Sequence, residues 1–267
     1  MKSITAQDRA GHPLAWREAG DGAPVIFLHA MVTSRLGWEP QMARLARDYR
    51  CIAWDMPGYG GSAPAPAGTS MSEVLGLLTD FVTATLGLRS AHFVGLSVGG
   101  MMLQHLAAHR PDLTRSITLI DCSPKFGFGG GSSPEEFESW VRNSLDTQPL
   151  TEFCRNMIAA ITAPGAGREA LEASERAMGQ ASRAGLDLTA RLIARHDALD
   201  LLGRIACPTL VMAGAEDKET PPSYAQAIAA RIPGANLSLI PGAGHIAPLE
   251  APAAVSDRLH TFLAHGL

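Results

Sequence analysis

Ser97 lies between two glycines in the run Gly95-Leu96-Ser97-Val98-Gly99, which follows a short apolar segment and precedes an apolar helical pattern. The spacing G-x-S-x-G on a strand–turn–helix lifts a serine hydroxyl clear of the sheet, because the strained turn leaves no room for side chains two residues away. The helix that begins there points free N–H groups and its positive end at the place where an oxyanion would form. The pattern predicts that Ser97 is a nucleophile, although an ordinary glycine-rich turn has the same composition.

A serine hydroxyl becomes a good nucleophile only beside a base, and the base needs a carboxylate that orients it. Two such groups follow apolar segments late in the chain. Asp217 ends the run Gly214-Ala215-Glu216-Asp217, and His245 ends the run Gly242-Ala243-Gly244-His245. The order serine, acid, histidine is one of the chain orders in which a Ser-His-Asp triad occurs. We therefore predict that His245 is the general base and that Asp217 orients it.

Two other carboxylates compete for the role of the acid. Glu216 is the neighbour of Asp217, and Asp121 also follows a predicted strand. A loop carboxylate is ordinarily a solvated charge or a hydrogen-bond acceptor for loop backbone. We favour Asp217 because of its place at a strand end, and Asp121 stays open as an alternative acid from an earlier strand.

The residues with chemistry follow elements that alternate between strand and helix. Short apolar runs typical of strands predict strands at residues 14–18, 24–28, 50–55, 91–94, 116–121, 208–214 and 236–240. Helical spacing predicts helices near residues 38–47, 70–86, 100–110 and 222–231, and a last one that ends near residue 263. Strands that alternate with helices imply a mostly parallel sheet flanked by helices, so the predicted fold class is α/β.

A helical block interrupts this pattern. Between residues 122 and 202 we find helical patterns and no convincing strand, and Ser133 with Glu136 forms a capping box at the start of one helix. We predict an α/β core made of residues 1–121 and 203–267, and a helical lid (cap) subdomain at residues 122–202. An insertion near the carboxyl ends of a sheet is expected to cover a binding pocket.

Composition and charge exclude several classes of function. The 267 residues are 46% hydrophobic, which is enough for a large core, and 22 Lys and Arg against 26 Asp and Glu give a net charge of -4 without any basic run. Nucleic-acid binding is therefore not expected. The first eight residues lack the apolar core of a signal peptide and no apolar run is long enough to span a membrane, so we expect a cytoplasmic protein without membrane contact.

Metal and cofactor motifs are missing from the sequence. The four cysteines are scattered without a C-x-x-C pair, and neither H-E-x-x-H nor G-x-x-x-x-G-K-[ST] occurs. We expect no metal and no cofactor, and the cysteines are interpreted as small core residues.

Four motifs together resemble the α/β-hydrolase superfamily. They are the turn at His29 with Trp38 downstream, the segment 55–62 (Asp-Met-Pro-Gly-Tyr-Gly-Gly-Ser), the turn around Ser97, and the pair of Asp217 and His245. The resemblance covers nearly all of the chain outside residues 122–202. It implies the α/β-hydrolase fold with an inserted helical lid.

The resemblance also implies an oxyanion hole. Its donors would be the backbone N–H groups of Met31 and Val98. The chain departs from the family pattern at Ala30, where glycine usually follows the histidine of the turn. Alanine adopts most conformations that glycine uses at negative φ, so we expect the hole to persist with an altered pocket wall.

Candidates for contact with a substrate are suggested by position alone. They are His29, Phe126, Trp140, His196 and Ile246. The ordinary alternative for His29 is to hold its own turn together, and an aromatic residue of the lid such as Trp140 more often packs within the lid.

These observations lead to the hypothesis of a cofactor-independent serine hydrolase that cleaves a carboxylic ester or lactone of a small molecule through an acyl-enzyme. Residues 208–252 and the all-helical lid resemble the 3-oxoadipate enol-lactonase group and its esterase relatives. Ser97 in place of aspartate argues against haloalkane dehalogenases, and Ile246 in place of tryptophan argues mildly against carbon–carbon bond hydrolases. A carbon–carbon bond hydrolase, a perhydrolase, a ligand-sensing receptor with a vestigial triad, and a homodimer stay open.

Overall fold

An eight-stranded sheet forms the centre of the molecule in the computed structural model, which describes residues 1–266. The strands are β1 (Lys2–Gln7), β2 (Pro13–Ala19), β3 (Ala23–Leu28), β4 (Tyr49–Trp54), β5 (Ala91–Leu96), β6 (Thr114–Ile120), β7 (Thr209–Gly214) and β8 (Asn236–Ile240). Their order across the sheet is β1-β2-β4-β3-β5-β6-β7-β8. The pairs β1–β2 and β2–β4 are antiparallel, and the pairs from β4 through β8 are parallel.

Helices flank this sheet. They are α1 (Glu39–Leu45), α2 (Met71–Asp80), α3 (Val98–His109), α4 (Pro134–Thr147), α5 (Leu150–Ile161), α6 (Arg168–Met178), α7 (Arg183–Ala194), α8 (Pro222–Ala229), α9 (Ala247–Glu250) and α10 (Pro252–His265). Of these, α1, α3 and α8 lie within about two residues of the predicted helices. The α3 helix packs on β5 and β6, while α1 packs against α10. The predicted α/β-hydrolase fold class is confirmed by this topology.

Capping residues set two of the helix starts. The Ser133 hydroxyl accepts a hydrogen bond from the Glu136 N–H, and the Glu136 carboxylate accepts one from the Ser133 N–H, so the predicted capping box is confirmed. Ser70 and Glu73 form a second box at the start of α2. Each box satisfies backbone donors that the first turn of a helix leaves without partners.

The structure differs from the prediction at three elements. Strand β1 was not predicted, because an edge strand with one exposed face has little apolar signal. The α2 helix gives way after Asp80 to a π-helical turn, Phe81–Thr85. The predicted last helix consists of α9 and α10, and Pro252 lies in the first turn of α10.

Helices α4–α7 lie between β6 and β7 in the chain, and we call them the helical insertion. The loop after β4 is attached to the segment that leads into α7. Tyr59 forms a β-bridge with Ala181, and the Gly60 N–H donates to the Gln180 carbonyl at 2.8 Å. A Cβ at Gly58 would lie 2.6 Å from the Gly185 nitrogen, so the two backbones touch without side chains between them.

The helices of residues 1–266 include none with the length and apolar character that crossing a bilayer requires.

Candidate active site

Ser97 occupies a strained turn between β5 and α3. Its φ of 53° and ψ of -118° are unusual for a residue with a side chain. A Cβ at Gly95 would lie 2.5 Å from the Gly99 carbonyl oxygen, and a Cβ at Gly99 would collide with the Leu28 carbonyl oxygen. The glycines that the sequence pattern singled out are therefore required by close backbone contacts on both sides of the serine.

Three hydrogen-bonded side chains follow the carboxyl ends of β5, β7 and β8. The Ser97 hydroxyl is 3.0 Å from Nε2 of His245, and Nδ1 of His245 is 2.9 Å from Oδ2 of Asp217. Asp217 also accepts hydrogen bonds from the Thr220 hydroxyl at 2.7 Å and from the N–H groups of Glu219 and Thr220. Because Nδ1 donates to the carboxylate, Nε2 is left to accept the serine proton. The structure thus brings the predicted nucleophile, base and acid together.

Electrostatics favour a charged histidine in this buried site. Burial by itself lowers the pKa of His245, but the charge of Asp217 and its hydrogen bond outweigh burial, and Asp121 and Glu219 add to them. The result raises the pKa of His245 to about 9. Burial likewise opposes ionisation of Asp217, yet the positive charge of His245 and the hydrogen bonds to Asp217 hold its pKa below the usual value.

Asp121, the alternative acid, is used differently. Its side chain is fully buried, and its oxygens accept the Gly214 N–H at 2.7 Å and the Ala247 N–H at 3.1 Å. Burial, with the nearby charge of Asp217, raises the pKa of Asp121 well above its usual value. Asp121 thus binds the backbone at the end of β7 and at the start of α9, which favours Asp217 as the residue that orients His245.

His29 holds the turn that follows β3. Its Nδ1 donates to the Ala30 carbonyl at 2.8 Å, and its Nε2 accepts the Met56 N–H at 3.0 Å. Burial lowers the pKa of His29 to about 4, so the ring is neutral. Both ring nitrogens already have partners, which supports the structural alternative for His29 over direct contact with a substrate.

Tyr59 also fixes this turn, and sequence reasoning did not single it out as a site residue. Its hydroxyl donates to the Met31 carbonyl at 2.7 Å and lies 2.9 Å from the hydroxyl of Thr189 on α7. The two partners are 28 and 130 residues away in the chain, so no local pattern marks this contact.

The two residues predicted to form an oxyanion hole, Met31 and Val98, are both buried. Val98 is the first residue of α3, and Met31 is in the turn after β3. Within residues 1–266 neither N–H donates to another group of the protein. The beginning of α3 touches this turn, because a Cβ at Gly99 would lie 2.9 Å from the His29 carbonyl oxygen. Donors in this arrangement can stabilise negative charge that develops on a carbonyl oxygen.

The aromatic candidates Phe126 and Trp140 both pack against Phe137 of α4. Trp140 is 48% exposed, and its ring centre is 6.1 Å from that of Phe137 and 6.0 Å from that of Phe153. Phe126 lies 5.4 Å from Phe137 in the same way. These contacts favour packing within the insertion for both residues.

His196 is buried away from the triad's hydrogen bonds. Its Nε2 donates to the Ser123 carbonyl at 2.9 Å, and its Nδ1 lies 3.2 Å from Nε2 of His105. Burial lowers the pKa of His196 to about 3. Ile246, by contrast, directly follows the catalytic histidine candidate and is fully buried. Within residues 1–266 no group of three His, Cys, Asp or Glu side chains is arranged to hold a metal ion.

The sequence model of the alpha/beta hydrolase fold family matches residues 23–252 of the chain. The chain belongs to this family. It is 28% identical to 3-oxoadipate enol-lactonase 2 of Acinetobacter baylyi, over 98% of this chain and 96% of that enzyme. It is also 28% identical to a protein of Mycobacterium tuberculosis named as a non-heme bromoperoxidase, over 94% of this chain and 97% of the relative.

A solved structure of the alpha/beta hydrolase family supports the fold over the full length. A thermophilic esterase from Thermogutta terrifontis superposes with a TM-score of 0.89 at 25% identity, over 100% of this chain and 99% of that one. The resemblance found in the sequence is thus confirmed, and the similar proteins include enzymes named for lactone and ester cleavage.

Proposed function

We propose that this alpha/beta hydrolase cleaves a carboxylic ester or lactone of a small molecule through an acyl-enzyme on Ser97. The observation that carries the proposal is the continuous hydrogen-bonded chain from Ser97 through His245 to Asp217, with separations of 3.0 and 2.9 Å. The strained turn that holds Ser97, together with the N–H groups of Met31 and Val98, supports nucleophilic attack by Ser97 on a carbonyl group.

The first half of the reaction forms the acyl-enzyme. Ser97 Oγ attacks the carbonyl carbon while Nε2 of His245 takes the hydroxyl proton, and the N–H groups of Met31 and Val98 donate to the developing oxyanion. When the intermediate collapses, His245 gives that proton to the leaving alkoxide. In the second half, water attacks the acyl carbon with His245 again as base, and Ser97 is released.

The helical insertion is proposed to act as the lid of this site, with residues 122–202 as the lid subdomain and residues 1–121 and 203–267 as the core. It is inserted after β6, whose carboxyl end lies beside Ser97, since the Ser97 N–H donates to the Ile120 carbonyl at 2.9 Å. Specificity for the acyl and alcohol parts would then depend on residues of the insertion that face the site.

A panel of substrates tests the proposal. Short- and long-chain acyl esters, lactones and enol-lactones are compared at equal concentration, and we expect rapid multiple turnover on at least one of these classes. A single slow turnover on every ester and lactone, accompanied by a ligand-dependent rise in melting temperature, would instead support a receptor with a vestigial triad.

The bromoperoxidase-named relative gives a specific reason to include a second reaction. On the same acyl-enzyme, hydrogen peroxide can take the place of water as the attacking nucleophile and release a peracid. Peroxide-dependent halogenation of a reporter that exceeds ester hydrolysis in rate would favour this perhydrolase function.

The pH dependence follows from the pKa of His245. Only neutral imidazole acts as a base, so we expect kcat/KM to rise with pH, with a midpoint above the ordinary 6.5 and toward about 9. The charge of Glu219 is one of those that raise the pKa of His245. Glu219→Gln removes that charge, so it should move the midpoint to lower pH with little change in the maximal kcat/KM. A rate that is flat from pH 6 to 10 would contradict the assignment of His245.

The same ionisation affects stability. Since the pKa of His245 in the folded protein lies above its unfolded value of 6.5, its contribution to the free energy of unfolding is complete below pH 6.5. That contribution is lost as pH rises through about 9. Thermal unfolding scans over this interval should therefore show a falling melting temperature where kcat/KM is rising.

A further inference from the structure

Glu250, at the end of α9, binds three backbone N–H groups with one carboxylate. Oε2 accepts the N–H of Gly244 at 3.0 Å and the N–H of Ala163 at 2.7 Å, and Oε1 accepts the N–H of Ile246 at 3.1 Å. Gly244 and Ile246 are the two neighbours of His245, whereas Ala163 belongs to the segment that follows α5 in the helical insertion. One side chain therefore joins the loop of the catalytic base to the insertion.

The backbone of His245 itself completes this connection. Its N–H donates to the carbonyl of Ile161, the last residue of α5, at 3.0 Å. A Cβ at Gly244 would lie 2.6 Å from the Ala163 nitrogen and 2.8 Å from the Ile161 oxygen. The loop at residues 244–246 and the segment at residues 161–163 are thus in direct backbone contact, and each of the three N–H groups in the loop has an acceptor.

This arrangement bears on the alignment of the imidazole. Hydrogen bonds from N–H groups to an ionised carboxylate are stronger than those between neutral groups, so Glu250 holds the loop more firmly than a carbonyl would. The imidazole must meet Ser97 on one side and Asp217 on the other, at 3.0 and 2.9 Å. A shift of the loop by a fraction of an ångström disturbs the length or direction of these hydrogen bonds, and proton transfer is sensitive to displacements of that size.

We propose that Glu250 is a positioning residue that anchors the His245 loop to residues 161–163, so that the base is aligned only while the helical insertion is seated on the core. This inference rests on the proposed hydrolase function. It extends that function because the Glu250 carboxylate links the position of the insertion to that of the catalytic base.

A cavity beside Glu250 makes the proposal testable by chemical rescue. Its volume is about 380 Å³, and it lies between the core and α6, with Glu250, Leu249 and Pro252 on one wall and Gly167, Ala170 and Ala173 on the other. Space of this size admits a small carboxylate such as formate or acetate. Removal of the Glu250 side chain opens this space toward the three N–H groups that the carboxylate accepts, so such an ion can take the place of that carboxylate.

The first experiment compares Glu250→Ala with the wild type on the best ester of the panel. We expect kcat to fall by about 10- to 100-fold with KM changed by no more than about threefold. Added formate should restore part of the lost kcat in Glu250→Ala in a concentration-dependent way, whereas chloride at equal ionic strength should not. Glu152→Ala is the matched control, because Glu152 is an exposed carboxylate on α5 and its loss should leave kcat unchanged.

Two results of this experiment would overturn the proposal. One is a wild-type kcat in Glu250→Ala. The other is a loss of kcat that no small carboxylate restores, because that would indicate a general structural role. Ser97→Ala, assayed in parallel, distinguishes failure of the proposed function from failure of this inference. Full activity in Ser97→Ala would reject the proposed acyl-enzyme on Ser97, whereas an inactive Ser97→Ala with a normal Glu250→Ala would reject only the role of Glu250.

A second variant isolates the contact with the insertion. Ala163→Pro removes the one N–H that Glu250 accepts from the insertion, and the preceding Thr162 already has the extended ψ of 151° that proline requires of its neighbour. The proline ring also places Cδ against the Glu250 carboxylate, which lies 2.7 Å from this nitrogen, so the link is both unbonded and pushed apart. We expect kcat to fall by at least about fivefold, the size of effect that the loss of one hydrogen bond has. If kcat is reduced in Glu250→Ala and unchanged in Ala163→Pro, the link to the insertion is wrong.

Discussion

Replacement of Ser97 by alanine is expected to lower kcat for ester hydrolysis by about 10⁴- to 10⁶-fold. Alanine keeps the Cβ that the turn already accommodates, so the strained conformation at φ 53° and the fold should persist. The one hydrogen bond lost is that to Nε2 of His245 at 3.0 Å. The residual rate would come from substrate binding and from stabilisation of the oxyanion.

The measurement combines kinetics with active-site labelling. A serine-reactive phosphonate should label the wild type with one equivalent and leave Ser97→Ala unlabelled, while melting temperatures stay alike. Ser256→Ala is a suitable control, because Ser256 is also buried and donates one hydrogen bond, to the Pro252 carbonyl at 2.6 Å. Undiminished turnover in Ser97→Ala would show that another group is the nucleophile.

Asp217→Asn is expected to lower kcat by about 10³- to 10⁴-fold. The amide can present its NH₂ group to Nδ1 of His245, which then keeps the proton on Nε2 and prevents that atom from accepting the serine proton. The protonated imidazole also loses its main counter-charge, so its pKa should fall from about 9. Steady-state kinetics over pH 5 to 10 measures both effects.

Asp121→Asn provides the matching experiment for the alternative acid. Asparagine has one carbonyl oxygen for the two N–H groups that Asp121 accepts, from Gly214 and Ala247. We expect a loss of about 1–3 kcal/mol in the free energy of unfolding, measured in urea, and a decrease in kcat of no more than about tenfold. If instead Asp121→Asn abolished turnover and Asp217→Asn retained it, the roles of the two carboxylates would be reversed.

The parts of the fold that could be predicted carry their signal locally. Strand β3 is a continuous apolar run because it is buried between β4 and β5, and the elbow needs glycine at positions 95 and 99 because backbone oxygens lie within contact distance. The grouping of Ser97, Asp217 and His245 could be predicted since residues at the carboxyl ends of parallel strands meet at one edge of the sheet.

The remaining features depend on contacts between distant residues of the chain. Glu250 and Ala163 are 87 residues apart, and Tyr59 and Thr189 are 130 apart. Neither periodicity nor spacing indicates which loop carboxylate or which tyrosine will reach a particular backbone group. The same limit applies to the direction in which Trp140 points, because an amphipathic helix of an insertion can pack against the core or against its neighbours.

The backbone contact between Gly58 and Gly185 sets a boundary for protein engineering. A chimera designed for a new substrate would carry the inserted helices of another hydrolase. The natural points at which to join the two sequences are the end of β6 and the start of β7. In this chain such an exchange would also replace Ala181, Gly185 and Thr189, which the loop after β4 needs as partners. A graft limited to α4 and α5 leaves that junction, and with it the turn that carries Met31, as it is in the parent enzyme.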